Sequence, residues 1–361
     1  MDVGLTCEQL ALRDNVRDVL HAECPPDVAR QAMTDSKTDP DRWRALWKTI
    51  IGLGWTELAS PAVDGSFGVA ELAVVAEACG AAIAPIPLLA SVGLAGGALR
   101  SAGPELDRVR ADIAAGAVAA LAVQPAGQPL PGVPMVLRSG RLYGRAVAVG
   151  WASRAELIVT LADSDDGVVA AVARGGSGVV IQPADCIDPA HPVADVEIDT
   201  VPVAAAPVDV ETALATPLVA AAADLVGVAE AALTRSVEHA KVRRQFDKPI
   251  GAFQGVKHAL ADNYVSLERA RSLTYAAAAR LDDADSSPAG AWTAAALAKA
   301  AAGDAAVGCA RTAVQVHGAI AQTWEHDIHL FLRHAWQAAA TLGDSRALYD
   351  AVGRRFAEGT G

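Results

Sequence analysis

Four closely spaced side chains carry the residue types of a metal site. Glu325, His326, Asp327 and His329 stand within five positions, and carboxylates and imidazoles are common ligands of divalent metals. The five cysteines, in contrast, are odd in number and far apart, and no two form a CxxC pair. The sequence therefore predicts neither a disulfide framework nor a cysteine zinc site, only idle or buried thiols in a reducing cytosol.

The composition limits the classes of function. The 361 residues carry 30 Lys and Arg against 42 Asp and Glu, a net charge of −12 that argues against nucleic acid as the main partner. Hydrophobic residues make up 52%, enough for a large core, so general disorder is excluded. No run of about 18 apolar residues escapes interruption, and the N-terminus lacks the charge pattern of a secretory signal. We therefore expect a cytoplasmic protein without a membrane span.

Hydrophobic periodicity divides the chain into three regions. Residues 1–116 read as an N-terminal helical domain, 117–207 as a central antiparallel β domain, and 208–361 as a C-terminal four-helix bundle. The fold class is thus multi-domain α+β. Pro25 and Pro26 are expected to end a first helix, and Asp64-Gly65-Ser66 forms a predicted turn. Further helices are predicted over 41–52, 69–84, 88–99, 218–242, 253–281 and 291–316, and strands over 141–149, 156–161, 168–172 and 179–181.

Two long motifs in the C-terminal region resemble the flavin-dependent acyl-CoA dehydrogenase family. The first is RRQFDKPIGAFQ at 243–254, and the second is AVQVHGAIAQTWEHD at 313–327, followed by LFLRHA at 330–335. Their separation and the helical, β, helical order also fit this family. The resemblance implies a tetramer with FAD across a dimer interface, an acyl-CoA substrate and an electron-transfer flavoprotein as acceptor. A carboxylate in such enzymes takes the α-proton while the β-hydrogen leaves as hydride to the flavin.

The same resemblance assigns FAD contacts to five residues. Arg243 matches the family position that meets the FAD pyrophosphate, for which a guanidinium fork is suited. Phe246 matches a residue that packs on the flavin nucleotide, and Gln254 and Gln315 match side chains that hydrogen-bond the ADP part. Gly318 would allow close approach of backbone to the ligand. The 325–329 cluster falls inside a motif that binds no metal, so it is interpreted as helix N-terminal carboxylates and interface contacts.

Other positions depart from the family pattern. Ala319 and Ala321 replace two glycines of a Gly-Gly-x-Gly loop and would obstruct the ligand if either needed a positive φ. Val123 replaces the threonine whose hydroxyl meets the flavin ring. Trp151, the only tryptophan of the central region, lacks the family's Ile-Ser or Ile-Thr neighbours and is predicted to pack at a strand edge.

The catalytic carboxylate is predicted to be absent. The usual glutamate position falls on Leu342, and the position used by a minority of the family falls near Pro217, whose nearest upstream carboxylate is Glu211. Asp344 and Glu230 are weak candidates for a displaced base, since Asp344 is two residues away and shorter and Glu230 is expected to be solvated or paired with a cation. Without a positioned base, the weakly acidic α-proton has little reason to leave.

The retained FAD contacts and the missing base together predict a subunit that supports catalysis by a second subunit. The chain resembles the non-catalytic β-type subunits of actinobacterial α2β2 enzymes that act on steroid-derived CoA thioesters. It would contribute FAD contacts to a second acyl-CoA dehydrogenase-like subunit. Two alternatives stay open: a self-sufficient homomeric dehydrogenase with a displaced base, and a non-enzymatic relative that binds acyl-CoA or serves assembly.

Overall fold

A computed structural model describes residues 4–35, 38–39, 41–59, 67–283 and 285–359. Helices precede a central, mainly antiparallel sheet, and long helices follow it, which confirms the predicted fold class. The predicted turn at 64–66 lies outside the described residues. The division at 116 and 207 into three domains stays a prediction.

The N-terminal region is built from short helices around apolar faces. Thr6 and Gln9 form a capping box that starts the first helix. The first helix ends before Pro25 and Pro26, as predicted. Pro26, however, is the first residue of a second helix, a position where the backbone N–H has no helical partner and its absence does not weaken the helix. The predicted helix over 88–99 is π-helical from Leu89 to Gly96 before it becomes α-helical. The helices are α1 (Cys7–Glu23), α2 (Pro26–Thr34), α3 (Trp43–Gly52), α4 (Val69–Ala82), α5 (Gly97–Leu99) and α6 (Asp107–Ala114).

The central sheet contains eight strands, of which the sequence predicted four. The strands are β1 (Ala119–Ala122), β2 (Met135–Arg138), β3 (Arg141–Gly150), β4 (Leu157–Ser164), β5 (Gly167–Arg174), β6 (Val179–Ala184), β7 (Val193–Thr200) and β8 (Ala204–Pro207). Their order is β6-β7-β3-β2-β4-β5-β8, and β1 pairs with β4. Pairing is antiparallel except where β1 and β2 each run parallel to β4. The strands that the sequence did not reveal are β1, β2, β7 and β8.

The C-terminal region contains the longest helices. They are α7 (Val210–Val242), α8 (Gln254–Leu281), α9 (Pro288–His317), α10 (Ile328–Ala340) and α11 (Ser345–Glu358), with the hairpin strands β9 (Arg244–Gln245) and β10 (Lys248–Pro249) after α7. α7 begins at the Asp209 cap, eight residues before the predicted start, and continues through Pro217. It is long and apolar enough to cross a membrane, but it is almost entirely buried and is therefore a core helix.

Two glycines let α4 and α7 cross with their backbones in contact. A Cβ added to Gly227 would lie 1.9 Å from the carbonyl oxygen of Glu77, and one added to Gly80 would lie 2.0 Å from that of Asp224. No side chain fits at either position without moving a helix. This crossing fixes the N-terminal helices against the C-terminal bundle.

A buried histidine next to this crossing joins three parts of the chain. His334 of α10 lies 2.7 Å through Nδ1 from the Asp188 carboxylate and 3.1 Å through Nε2 from that of Asp224 on α7. His191 also meets Asp188, at 2.8 Å, and its Nε2 lies 3.0 Å from the carbonyl oxygen of Ala84 after α4. The loop between β6 and β7 is thereby tied to α10, α7 and the N-terminal helices.

The surroundings of His334 favour its charged form. Burial alone would lower the pKa of His334, but Asp224 and Asp188 outweigh it and raise that pKa to about 10. Burial likewise works against the charge of Asp188, yet His191 and His334 hold the pKa of that carboxyl well below its usual range. An imidazolium between two carboxylates accounts for both contacts, since each ring nitrogen then donates a proton.

Asp188, His191 and His334 also have the composition of a small metal site, because their ligand atoms lie within 4.8 Å of one another. The carboxylate-to-ring distances of 2.7 and 2.8 Å are those of direct hydrogen bonds. We therefore interpret the group as a proton-mediated network. The absence of a metal stays a prediction.

The helix crossing predicts that Gly227→Ala lowers the free energy of unfolding by about 1–3 kcal/mol or more, because the new methyl group forces α4 and α7 apart. Urea unfolding measures the change. Gly353→Ala is the matched control, since this helical glycine has nothing within 4 Å of an added Cβ. The control should gain about 0.5–1 kcal/mol. Equal effects at the two positions would contradict the close crossing.

The network predicts that His334→Gln lowers the free energy of unfolding by on the order of 3 kcal/mol, because two carboxylates lose their shared cation. The folded-state pKa lies above the unfolded value, so the contribution of His334 is complete below about pH 6.5 and is lost as the pH rises through about 10. When unfolding is measured at several pH values, the difference in free energy of unfolding between the native chain and the variant should shrink over that range. His258→Gln, at an exposed site, should show no such difference. A pH-independent difference would contradict a charged His334.

Candidate active site and FAD-contact edge

The expected FAD-contact residues meet at one end of the helical bundle. Arg243 is the C-cap of α7 and Gly318 is the C-cap of α9. The rings of His239 and His317, one from each helix, stack with centroids 4.2 Å apart, so the two helix ends lie side by side. We call this region, residues 239–254 and 315–318, the α7–α9 edge.

A groove of about 500 Å³ runs along the α7–α9 edge. Phe246 and Gln315 both line it, and Phe246 meets Phe253 edge to face at 6.1 Å between ring centroids. Phe246 is 85% exposed and has a φ of +50°, which turns it outward at the tip of the β9–β10 hairpin. Gln254 is exposed and starts α8 directly after Phe253. An exposed aromatic ring beside a polar amide is suited to a nucleotide.

Arg243 presents an available guanidinium at the same edge. Its side chain is exposed and, among the described residues, makes no hydrogen bond or ion pair. A free planar fork can bind phosphate oxygens in a bidentate manner. The α7–α9 edge therefore fits the pyrophosphate and ADP half of FAD.

The loop after α9 is not strained in the way that its alanines suggested. Gly318 has φ +70° and ψ −147°, which requires glycine, but neither Ala319 nor Ala321 has a positive φ. Both alanines lie in a 3-10 turn that spans Gly318–Gln322. The obstruction expected from a positive φ is therefore absent.

The flavin-ring side lacks the polar groups expected of a working site. Val123 is buried and offers no hydroxyl. Gln124 instead donates to the carbonyl oxygen of Gln128 at 2.6 Å, within a loop that folds back toward the C-terminal helices. Leu130 of that loop packs on Gly343, where an added Cβ would lie 2.8 Å from Leu130 Cδ2. At the positions of Val123 and Gln124, the structure therefore offers a flavin ring neither a hydroxyl nor an unpaired amide.

The usual base position is apolar and sits in a tightly held turn. Leu342 is buried and has φ +59°. The buried Lys299 donates to the carbonyl oxygens of Ala339 and Gly343 at 3.1 and 3.4 Å, which fixes the 341–344 turn. Burial lowers the pKa of Lys299 to about 8 despite the charges of Asp224 and Asp344.

Asp344, the weak candidate for a displaced base, caps a helix. Its carboxylate accepts a hydrogen bond from the backbone N–H of Ala347 at 2.8 Å and so caps α11. The side chain is exposed at the start of that helix. This contact favours a capping role over proton transfer.

The alternative base position is also filled. Pro217 is buried within α7, and an added Cβ on Gly97 would lie 3.3 Å from Pro217 Cδ. The upstream carboxylate of Glu211 pairs with Arg355. Glu230, the other weak candidate, pairs with Arg17 at 2.8 Å, as expected for a carboxylate beside a cation.

The 325–329 cluster does not converge on a common point. Asp327 pairs with Arg30 of α2, and the His329 ring stacks on Trp324 at 4.9 Å between centroids. Within the described residues, the possible metal group lies elsewhere. Trp151 packs on Trp43 in the interior, in agreement with its expected packing role.

Sequence reasoning missed the buried polar residues Asp188, Lys299 and His334, the half-buried His191 and the stacked His239. Asp188 and His191 stand three positions apart, which was the available local signal. His334 lies inside the LFLRHA motif, but its partners lie 146 and 110 positions away along the chain.

Comparisons with known proteins identify the family of this chain. Residues 6–110 match the family described as acyl-CoA dehydrogenase, N-terminal domain, and residues 210–357 match acyl-CoA dehydrogenase, C-terminal domain. The acyl-CoA dehydrogenase FadE27 of Mycobacterium tuberculosis is 32% identical, with 99% of each chain covered. A chain of the ChsE4-ChsE5 complex from Mycobacterium tuberculosis matches with a TM-score of 0.85 at 28% identity, covering 99% of both chains.

A third similar protein is the Tcur3481-Tcur3483 steroid ACAD, with a TM-score of 0.80 at 26% identity, covering 96% of this chain and 99% of that one. The resemblance inferred from the two motifs is confirmed. The chain belongs to the acyl-CoA dehydrogenase family.

Proposed function

We propose that this chain is the non-catalytic subunit of an α2β2 acyl-CoA dehydrogenase, in which it contributes FAD contacts to a second, catalytic subunit. The observation that carries the proposal is an asymmetry between two sites. The α7–α9 edge presents the free Arg243 fork beside an open groove, whereas Leu342 and Pro217 fill both base positions. The similarity to a chain of the two-component ChsE4-ChsE5 complex supports this arrangement.

FAD is the cofactor of this family, and when bound it accepts the hydride from the acyl-CoA. The residues of this chain would hold its nucleotide half. Arg243 would bind the pyrophosphate through bidentate hydrogen bonds, and Phe246 would pack on the nucleotide. Gln254 and Gln315 would hydrogen-bond the ADP part. Gly318 would let the α9 terminus approach the ligand closely.

Proton abstraction would fall to the partner subunit. Leu342 is a hydrocarbon in a buried turn and cannot accept the α-proton of a thioester, and Asp344 is occupied as a cap. The substrate proposed is a steroid-derived or other bulky acyl-CoA, by analogy with the steroid ACAD named above. The proposed electron acceptor is an electron-transfer flavoprotein, and the proposed compartment is the cytoplasm.

The two alternative functions predict a different colour or activity for the purified protein. A homomeric dehydrogenase would be yellow and active as the single chain. A non-enzymatic acyl-CoA-binding or assembly relative would stay colourless with any partner. The apolar Leu342 and Pro217 at the expected base positions disfavour the homomeric enzyme, and the available Arg243 guanidinium disfavours the non-enzymatic relative.

The proposed function predicts how the FAD-to-polypeptide ratio depends on the partner subunit. The chain purified alone should be colourless, and the complex with its co-expressed partner should carry about one FAD per pair. Arg243→Ala in that complex should weaken FAD retention by roughly ten- to hundredfold, since a charge-assisted contact contributes about 1.5–3 kcal/mol. Dialysis followed by flavin absorbance measures this loss.

Two control variants sharpen the measurement. Arg243→Lys keeps the charge but loses the fork, and should fall between the native complex and Arg243→Ala. Arg108→Ala removes a highly exposed arginine on α6 and should retain FAD normally. About one FAD on the lone chain, or full retention by Arg243→Ala, would overturn the proposal.

Asp344→Ser tests the displaced base directly. Serine also caps helices, so α11 should persist while the carboxylate is gone. We expect unchanged turnover in the complex, measured by reduction of a dye with acyl-CoA. A loss of a hundredfold or more, without loss of α11 stability, would identify Asp344 as the base.

A further inference from the structure

Three histidine rings lie in contact beside the α7–α9 edge, where His239 stacks on His317 and His326 meets His317 edge to face; we call this group the stack. His317 lies between the other two, with its ring centroid 4.2 Å from that of His239 and 4.9 Å from that of His326. Its Nδ1 lies 2.8 Å from the carbonyl oxygen of Ala313, which makes Nδ1 the donor and leaves Nε2 as the titrating atom. All three side chains are partly exposed, so solvent protons can reach them.

The charges around the stack are mostly positive. Arg243 follows His239 by one helical turn, and Arg235 of α7 acts on His317. The nearby carboxylate of Asp327 is already paired with Arg30. Burial lowers the pKa of His239, and the charges of Arg243 and His326 lower it further. Burial also lowers the pKa of His317. The neighbouring histidines and Arg235 add to this effect, and the hydrogen bond to the Ala313 carbonyl opposes it.

Crowding of this kind is relieved by an anion. The neighbouring guanidiniums and imidazoles disfavour a positive charge on His239 and His317, and burial disfavours it further, so the pKa of both rings lies below its usual value. A pyrophosphate on the Arg243 fork would bring negative charge to the same edge and reverse the sign of the local field. Protonated imidazoles would then be stabilised.

We propose that the stacked pair His239 and His317 takes up a proton from solvent when the partner subunit's FAD places its pyrophosphate at Arg243. This inference rests on the proposed function and adds two positioning residues to the cofactor edge. No covalent bond changes, since the proton comes from water and stays on an imidazole. Because the bound state holds more protons, FAD affinity rises as the pH falls.

The experiment uses the apo complex of this chain with its co-purified partner, titrated with FAD between pH 6 and pH 8. Each proton taken up should tighten binding by up to about tenfold per pH unit. Calorimetry in two buffers of different ionisation enthalpy should report close to one proton absorbed per FAD. A pH-independent affinity with the same heat in both buffers would overturn the inference.

Variants separate the stack from general effects. His239→Gln and His317→Gln should each flatten the pH dependence while FAD binding at pH 8 is retained. His21→Gln, at an exposed site on α1, should leave the dependence unchanged. Proton uptake that persists in both stack variants would also refute the inference.

The two proposals fail in different ways. A complex that binds FAD with pH-independent affinity removes the histidine inference alone. A complex in which Arg243→Ala has no effect on FAD removes the lending function, and the histidine inference with it.

Discussion

The positively charged His334, held between Asp188 and Asp224, is the contact on which the arrangement of the molecule depends. It lies where the β6–β7 loop, α10 and α7 meet, and His191 extends the network to the end of α4. Buried charges are tolerated only when each is paired and hydrogen-bonded, so these partners leave little freedom for the elements that carry them. The charge of Asp224 also favours the charged form of the buried Lys299, which holds the 341–344 turn.

That fixed frame separates two regions of the chain that are under different constraints. The α7–α9 edge is formed by the free ends of two long helices and needs only exposed side chains such as Arg243 and Phe246. The base position lies instead in the packed interior, where Leu342, Leu130 and Lys299 complete the core. Changing the interior therefore leaves the outer edge intact.

Sequence reasoning reached the fold class, four of the strands and the family, since each depends on local periodicity or on a contiguous motif, whereas the FAD-contact residues stay a prediction. It missed β1 and β8 because alanine has little preference for strands, and their pairing with β4 and β5 determines them instead. It placed the start of α7 too late because Pro217 reads as a helix breaker, whereas burial keeps this helix continuous. His334 was invisible because its partners are distant in the sequence.

The packing of the 341–344 turn also has an evolutionary consequence. Leu130 and Leu348 occupy the space that a side chain on the neighbouring Gly343 would need, and the buried Lys299 donates to the carbonyl oxygen of Gly343, so the turn that carries Leu342 is closely packed. A carboxylate at position 342 would therefore need the surrounding packing to change with it. On the function proposed above, this closed interior would act as a ratchet that keeps the chain a companion to a catalytic subunit.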